Sequence, residues 1–424
     1  MASPGRGRDA GDTVRVAVFT SKYPAKVATF FERDMRALRE AGLDIDVFSI
    51  DTLEEDLWQY SHELLDAGLP RTSVHHLGIG ESIGRVPTTM SARAILDAAS
   101  VMWSAVRFGP APIAKTAYVM PKAWTWAATH GHRYDHVLAY WGNYAGTCAY
   151  LFHRLMNRPE VPFSIWLHAG VDLYRTPVFM RQKLDYADNI ITCCEFNCGY
   201  IATQFGQATA DRVHVCHHGL DLAEFAFRPE GRPDNVVMAV GRLAAHKGFD
   251  YLFQAARLLK DRGVNIVVDL VGDGDERHAL ERLAAELGIE DRVKYRGWLK
   301  FDGARDAMSE ATVLVHPSDG LGDGLPNVIR EAMALGTPVI ASNVAGIPDA
   351  LRDGCGVLVP PKNAVALADA IAALLADRDE RLAIAARARA RVEERYDLWE
   401  NGSRLASLMK HTRRRSGRNT LVAA

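Results

Sequence analysis

The chain has 424 residues, of which 48% are hydrophobic and 24% are charged, as in an ordinary globular protein. This length suits two domains better than one core. Because 50 basic and 52 acidic side chains leave a net charge of −2, the overall charge does not favour a nucleic acid partner.

Residues 1–12 lack the apolar segment of a secretory signal, and we expect them to be disordered. Apolar stretches farther along stay well below the ~20 residues of a membrane-spanning helix. These two features favour a cytoplasmic protein, with association at a membrane surface left open.

The first half of the chain, residues 13–227, alternates apolar runs of strand length with helical patterns. Such alternation indicates a parallel β-sheet covered by helices, which is a doubly wound α/β domain. The predicted strands are 14–19, 45–50, 137–140, 163–167, 189–192 and 213–215.

The stretch 92–108 has the periodicity of an amphipathic helix, and a tryptophan pair, Trp124 and Trp126, follows it. The apolar positions of this helix are Ile95, Leu96, Ala99, Met102, Trp103 and Val106. Packing in the core explains this pattern. As an alternative, a basic amphipathic surface with tryptophans can lie at a membrane interface.

Thiols and imidazoles gather after residue 190, which raises the question of a zinc site. The residues are Cys193, Cys194, Cys198, Cys216, His217 and His218. Their spacing lacks the paired Cys-x-x-Cys form of a structural zinc site. We therefore expect reduced thiols in the core.

A polar stretch with two prolines, residues 228–235, is predicted to link two domains. A second alternation occupies residues 236–395, with predicted strands at 236–240, 266–271, 293–295, 313–315, 339–340 and 357–359. We therefore predict a second doubly wound α/β domain.

A glycine turn joins the first strand of this second domain to a helical pattern, and it contains Arg242 and Lys247. Ligands bind outside the carboxyl ends of strands in open α/β sheets. Since Arg242 can grip two phosphate oxygens and Lys247 supplies a point charge, the pair suits a diphosphate. Two solvated charges in a loop are the plainer alternative.

The most informative stretch runs from Asp323 to Glu331, where the two acids flank a turn of Gly324, Leu325 and Pro326. Proline is favoured at a helix start, so this turn is predicted to open a helix. The free N–H groups and the positive dipole end of a helix seat a phosphate. Glu331 can face the same cleft and accept hydrogen bonds from sugar or ribose hydroxyls. A surface helix with an acidic start is the alternative.

The end of the chain is predicted to be helical and then basic. Residues 396–409 read as a helix that packs back toward the first domain. Residues 410–424 read as a disordered basic tail, which can be attracted to anionic lipid or simply be solvated.

Taken in order, the motifs of residues 236–360 resemble those of the retaining nucleotide-sugar glycosyltransferases of family 4. They are Gly-Arg-Leu-x-x-x-Lys-Gly from Gly241, Val-Gly-Asp-Gly from Val271, Gly-Leu-Pro-Asn-Val-x-x-Glu-Ala-Met-Ala from Gly324 and Gly-Thr-Pro-Val-Ile-Ala from Gly336. Weaker matches near residues 19–50, 162–174 and 217–225 are similar to exopolysaccharide-type members, so the likeness spans roughly residues 13–400.

The resemblance implies a GT-B fold, in which two Rossmann-like domains face each other across a cleft and the second holds the donor nucleotide. It implies a retaining, metal-independent transferase that needs no cofactor besides its nucleoside-diphosphate sugar. Arg242, Lys247 and the helix start at Leu325, Pro326 and Asn327 would stabilise the charge of the departing diphosphate.

The resemblance also implies contacts for other residues. His168 would meet the transferred sugar, and Glu331 would contact the ribose. The turn at Gly272 would approach the nucleotide, and the main chain around Trp298 would lie beside the base. Gly324 belongs to the turn that opens the phosphate-binding helix.

This chain departs from the family pattern at Asp323, which stands where glutamate is usual. As a candidate catalytic residue, the shorter acid can still bind hydroxyls of the donor sugar, but it leaves the identity of the sugar open. The loop 21–26 also lacks the glycine pair of many relatives. Asp273 and Asp275 could form an acidic pair for magnesium, but family members approach the nucleotide here without metal.

The expected activity is transfer of a sugar to a hydroxyl group. The donor base, such as UDP or GDP, stays open, as does the acceptor, which can be a glycan, a lipid-linked intermediate or a small molecule. An alternative is a catalytically silent subunit that binds a sugar nucleotide. A nucleotide-dependent oxidoreductase would need a full glycine fingerprint, which neither half supplies.

Overall fold

The computed structural model describes residues 13–26, 29–61, 65, 67–84, 92–170, 172–175 and 178–414. Within these ranges two parallel sheets form the framework. The first sheet contains β1 (Arg15–Thr20), β2 (Asp44–Ser49), β3 (Val74–His75), β4 (His136–Ala139), β5 (Phe163–Leu167), β6 (Asn189–Thr192) and β7 (Val213–Val215). The second contains β8 (Val236–Val240), β9 (Val267–Val271), β10 (Val293–Gly297), β11 (Val313–His316), β12 (Val339–Ser342) and β13 (Val357–Val359).

Helices flank both sheets. Those of the first half are α1 (Thr29–Glu40), α2 (Ile79–Gly84), α3 (Ala92–Val106), α4 (Pro110–His130), α5 (Tyr144–Leu155), α6 (Met180–Tyr186), α7 (Glu195–Phe205) and α8 (Gln207–Ala210). Those of the second half are α9 (Phe249–Asp261), α10 (Arg277–Glu286), α11 (Phe301–Ser309), α12 (Asn327–Leu335), α13 (Ile347–Leu351), α14 (Ala364–Ala376), α15 (Arg378–Arg395) and α16 (Leu398–His411).

Each sheet reverses its strand order at its first strand. The first sheet has the order β3-β2-β1-β4-β5-β6-β7 and the second the order β10-β9-β8-β11-β12-β13. Central strands such as β5 and β11 are buried along their whole length, because helices cover both faces. Crevices outside the carboxyl ends of β1 and β8 are therefore the natural ligand sites of the two sheets.

The chain crosses between the two domains twice, and the crossings are bonded to each other. The N–H of Leu220 donates to the carbonyl of Tyr396 at 2.7 Å, and the N–H of Leu398 donates to that of Leu220 at 3.1 Å. After the second crossing, α16 packs against α1, with Lys410 Nζ 2.7 Å from the carbonyl oxygen of Ala41. The C-terminal helix thus belongs to the first domain.

The predicted doubly wound architecture is confirmed, and each predicted strand is present with ends shifted by at most two residues. The predicted linker, residues 228–235, has no regular structure, and its Arg232 donates to carbonyls of the second domain at Met308, Ala311 and Leu335. The domain boundaries themselves stay a prediction.

Two sequence predictions are wrong. Helix α3 buries Ala94, Asp97, Ala98, Val101 and Ala105, whereas Ile95, Leu96, Trp103 and Val106 are exposed. The basic tail is ordered at its start, because α16 extends to His411 and Arg414 donates to Asp188 at 2.7 Å. Residues 1–12 and 415–424 lie outside the described residues. None of the helices in the described ranges combines the length and apolarity needed to cross a bilayer.

Candidate active site

A cavity of about 560 Å³ lies between the two domains, outside the carboxyl ends of their central strands. Its first-domain wall consists of Phe30, Trp141, His168, Ala169, Gly170, Arg175, Cys193 and His218. Its second-domain wall consists of Val240, Gly241, Arg242, His246, Lys247, His316, Gly322, Asp323, Leu325, Pro326, Asn327 and Val328. The cavity therefore joins predicted residues that are far apart in sequence.

Asp323 is the centre of a charged cluster on the second-domain wall. Its Oδ1 lies 2.5 Å from Lys247 Nζ, and its Oδ2 lies 2.9 Å from His316 Nε2. Burial works to raise the pKa of Asp323, but the charge and hydrogen bonds of His316 and Lys247 outweigh it and hold this pKa well below its usual range. Both carboxylate oxygens are thus already engaged by protein partners.

Helix α12 points its N-terminus at the cavity. The helix begins at Asn327, one residue after Pro326, and no side chain caps it. Its first N–H groups are therefore available to an anion, with the positive end of the helix dipole behind them. Leu325, Pro326 and Asn327 line the cavity at this point, as the sequence predicted.

The two domains touch at the edge of the cavity, where Gly324 meets Ala169. Gly324 has a φ of 60°, and a Cβ placed on it would lie 2.5 Å from the Cβ of Ala169. Glycine is required here both for the backbone conformation and for this close approach. The turn that opens α12 is therefore also an interdomain contact.

His168 supplies a ring with free hydrogen-bonding capacity from the first domain. It follows β5 and is 6% exposed. Its Nδ1 lies 3.5 Å from Asp172 Oδ2, and neither ring nitrogen has a hydrogen-bond partner among the described residues. Its backbone N–H donates to Asp172 Oδ2 at 2.7 Å, and its ring packs 4.3 Å from the ring of Trp141. Buried polar atoms are normally paired, so Nε2 is suited to a ligand.

His218 lies beside His168 on the same wall, and the sequence did not predict it as a site residue. Its Nδ1 is 2.6 Å from Asp34 Oδ2, and the same carboxylate accepts a hydrogen bond from the Tyr140 hydroxyl at 2.5 Å. The rings of His218 and His168 stack 4.9 Å apart, 9° from parallel. In the sequence, His218 belongs to the cluster of thiols and imidazoles and to the weak family match at residues 217–225, and neither gives it a role at the site.

Arg175 stands at the mouth of the cavity on the first-domain side. It is exposed, and its guanidinium has no hydrogen-bond or ion-pair partner among the described residues. By contrast, Arg242 lies 3.2 Å from Asp275 in an exposed pair.

Four predicted residues do not line the cavity. Glu331 is buried under the domain interface, where its Oε1 accepts a hydrogen bond from Arg33 Nη1 at 3.1 Å. Trp298 carries Lys26 over its ring at 4.5 Å, across the two domains. Gly272 packs against the carbonyl of Gly241, and Gly324 forms the contact described above.

The clustered cysteines form no disulfide. Cys193 and Cys194 are buried and Cys198 and Cys216 are half-buried, all as free thiols. Within the described ranges, no three or more His, Cys, Asp or Glu side chains are arranged to hold a metal ion.

The two-domain framework is the GT-B fold. It resembles sucrose-phosphate synthase from Thermosynechococcus elongatus, with a TM-score of 0.71 at 21% identity over 93% of this chain and 98% of that one. It also resembles Anabaena HepE in complex with UDP-glucose, with a TM-score of 0.67 at 18% identity over 93% of this chain and 99% of that one. At such identities the likeness concerns the fold alone.

Residues 223–391 match the family model described as Glycosyl transferases group 1. The colanic acid biosynthesis glycosyltransferase WcaL of Escherichia coli K12 is 32% identical over 208 residues, which cover 47% of this chain and 51% of WcaL. The match thus spans about half of that curated relative. The amylovoran biosynthesis glycosyltransferase AmsK of Erwinia amylovora is 23% identical over 401 residues, 91% of this chain and 96% of AmsK.

Proposed function

We propose that the protein is a retaining glycosyltransferase that moves a sugar from a nucleoside diphosphate to a hydroxyl of a carbohydrate acceptor. The main observation behind the proposal is that the two walls of the cavity, one from each domain, face each other. One wall offers Lys247, Arg242 and the uncapped start of α12 to a diphosphate. The other offers His168 to a sugar, and the Nε2 of its ring has no hydrogen-bond partner among the described residues. The family match and the names of the relatives support the same class of reaction.

The chemistry breaks the bond between the anomeric carbon and the diphosphate oxygen and forms a bond from that carbon to the acceptor oxygen. Negative charge grows on the departing diphosphate, where Lys247, Arg242 and the N–H groups of α12 stabilise it. The acceptor proton passes to a departing phosphate oxygen on the same face of the sugar. Attack on that face retains the anomeric configuration.

The donor is a nucleoside-diphosphate sugar, with UDP and GDP as the first bases to test. We would incubate the purified protein with UDP-, GDP-, ADP- and TDP-sugars and with oligosaccharide acceptors, and read the anomeric configuration of the product by NMR. A product with the same configuration as the donor supports the proposal, whereas an inverted product overturns the retaining mechanism.

A matched pair of lysine variants tests the site. Lys247 and Lys260 both lie within 4 Å of an aspartate, but Lys260 sits near the far end of α9, away from the cavity. Lys247→Met should reduce kcat/KM at least tenfold, since it removes a charge-assisted bond, and Lys260→Met should not. If nucleotide binds with full affinity yet no donor supports transfer, the catalytically silent subunit becomes the better description.

A second part of the proposal concerns where the acceptor comes from. Seven large apolar side chains are exposed on α2, α3 and the turn after α3, namely Ile79, Ile83, Ile95, Leu96, Trp103, Val106 and Phe108. Arg107 and Lys115 are exposed nearby. An apolar face with tryptophan and cations fits the surface of an anionic membrane, so we propose that this face brings the enzyme to a lipid-linked acceptor.

Vesicle sedimentation tests this face directly. Trp103→Glu should weaken binding to vesicles that contain phosphatidylglycerol, and raised salt should do the same. Val365→Glu provides the control, because Val365 is 53% exposed on α14 of the second domain. Equal binding of wild type and Trp103→Glu would remove the membrane from the proposal and leave a soluble glycan or small molecule as acceptor.

A further inference from the structure

The first domain holds a buried aspartate–histidine pair that reaches the cavity. Asp34, on α1, is 5% exposed, and His218, after β7, is 6% exposed. Their Oδ2 and Nδ1 atoms lie 2.6 Å apart, and the Tyr140 hydroxyl donates to the same carboxylate oxygen at 2.5 Å. The pair therefore fixes one nitrogen of the His218 ring, while the ring itself forms part of the cavity wall.

A second cluster of the same kind lies elsewhere in the same domain. Asp46 accepts a hydrogen bond from the Tyr134 hydroxyl at 2.8 Å, and His75 Nε2 lies 3.7 Å from the same oxygen. Neither Asp46 nor His75 lines the cavity. A histidine therefore lies beside a buried carboxylate outside the cleft as well. His218 differs from His75 because it lies in the cavity wall beside His168.

The charge of His218 decides what its second nitrogen can do. A neutral ring that donates from Nδ1 to Asp34 has Nε2 as an acceptor, whereas the imidazolium has an N–H donor there. Phosphate oxygens are acceptors only, and a sugar hydroxyl accepts a bond from a donor. A protonated His218 therefore complements oxygen atoms of a nucleotide-sugar.

We propose that His218, paired with Asp34, is a second substrate-contacting residue of the first domain, which donates from a protonated ring to an oxygen of the bound nucleotide-sugar beside His168. This inference rests on the proposed function and deepens it. It assigns the substrate a cationic contact from the first domain in addition to those of the second.

The charges around His218 are consistent with a protonated ring. Burial works to lower the pKa of His218, but the charge and hydrogen bond of Asp34, together with a hydrogen bond and charge from the Cys193 side chain, outweigh it and raise this pKa to about 9. A substrate oxygen at this ring therefore lies beside Cys193, which also lines the cavity. Arg330 approaches from α12, where it donates to the backbone carbonyl of His218. The remaining ionisable neighbours are His168, which stacks on the ring, and Tyr140.

Two substitutions separate the structural role from the substrate contact. His218→Asn keeps an amide donor near the position of Nδ1, so it preserves the bond to Asp34 and removes the second nitrogen. His218→Gln instead places an uncharged donor near the position of Nε2. We expect His218→Asn to fold and to lower kcat/KM by ~10–100-fold, as for loss of one charged hydrogen bond, with a smaller loss for His218→Gln.

The pH profile is the readout that a merely structural role would not change. Wild-type kcat/KM should fall above about pH 9 as His218 loses its proton. Asp34→Asn should move this fall to lower pH, and His218→Gln should abolish it. His75→Asn and Asp46→Asn are the matched controls, and both should keep the wild-type profile.

The protonation state can be checked without activity, by NMR of protein carrying ¹⁵N-histidine. A His218 ring that is neutral at pH 7.5 would overturn the inference. A His218→Asn variant with the kcat/KM and pH profile of the wild type would overturn it too. In both cases the proposed function would stand. If wild-type protein binds no nucleoside diphosphate in calorimetry, the proposed function fails first, and the substrate contact fails with it.

Discussion

Arg33 and Glu331 form a buried ion pair that joins the two domains. Arg33, on α1, has a side chain 1% exposed, and its Nη1 lies 3.1 Å from Oε1 of Glu331 on α12. The guanidinium also lies 4.5 Å from the ring centre of Phe301. Glu331 was predicted to contact a ribose, so a nucleoside that uses this carboxylate must share it with Arg33.

Removing Arg33 should destabilise the protein strongly. Arg33→Gln leaves Glu331 buried without its counter-charge, and loss of one member of a buried pair costs about 3–5 kcal/mol. Arg404→Gln is the control, because Arg404 is 68% exposed in its pair with Glu400 and should cost about 1 kcal/mol or less. Urea denaturation measures the free energy of unfolding of both variants. Equal losses of stability would show that burial of the Arg33–Glu331 pair does not increase its contribution.

Asp323→Asn should lower both activity and stability, because the amide cannot balance the charge of Lys247 and cannot accept as strongly from His316. We expect kcat/KM to fall at least tenfold. The pKa of Asp323 is held low by His316 and Lys247 against its burial, so its stabilising effect is present above about pH 4 and is lost as pH falls further.

Urea denaturation at several pH values checks this linkage. The difference in unfolding free energy between wild type and Asp323→Asn should be constant near neutrality and shrink below about pH 4. Asp323→Glu introduces the residue that is usual in the family this chain resembles. It should keep more activity than Asp323→Asn. A difference that grows on acidification would contradict the assigned ion cluster.

Gly324→Ala should disrupt the contact between the domains. A methyl group there would lie 2.5 Å from the Cβ of Ala169, at a φ of 60°. Backbone strain of this kind costs about 1–3 kcal/mol, and we expect weaker nucleotide binding and a lower Tm. Gly320→Ala is the matched control, since Gly320 has an extended φ of −173° and open space around its Cβ position. Similar effects of the two variants would refute the close approach.

The first domain should lose stability in mild acid. Burial lowers the pKa of His136 to about 4 and that of His153 to about 3, and both rings are fully enclosed. Since the unfolded chain binds their protons near pH 6.5, stability falls as pH drops below that value, by about 3 kcal/mol for each ring by pH 4. The slope of unfolding free energy against pH should be shallower in His153→Gln and unchanged in His278→Gln, whose side chain is 86% exposed.

Central strands such as β5 and β11 were predictable because they are buried on both faces and read as continuous apolar runs. β3 was missed, since a strand of two residues carries no such run. Helix α3 was misread because periodicity gives the position of an apolar face but not what covers it. The Arg33–Glu331 pair joins residues 298 positions apart, which no local pattern indicates.

The residues of the candidate site also divide into those that the sequence could predict and those that it could not. Arg242, Lys247 and the start of α12 lie in or at the end of the loops that follow β8 and β11, where topology alone brings them to one edge of a sheet. The contact between His218 and Asp34 depends on how the chain after β7 packs against α1, and no pattern in either segment indicates it. Arg175 follows β5 in a loop without any motif.

The docking of α16 on α1 makes the second domain an insertion within the first. Leu405 and Met409 of α16 share a hydrophobic cluster with Met35 and Leu38 of α1. During synthesis the ribosome releases α1 first and α16 only after the whole second domain. The packing of α1 in the first domain is therefore completed only after α16 has been made.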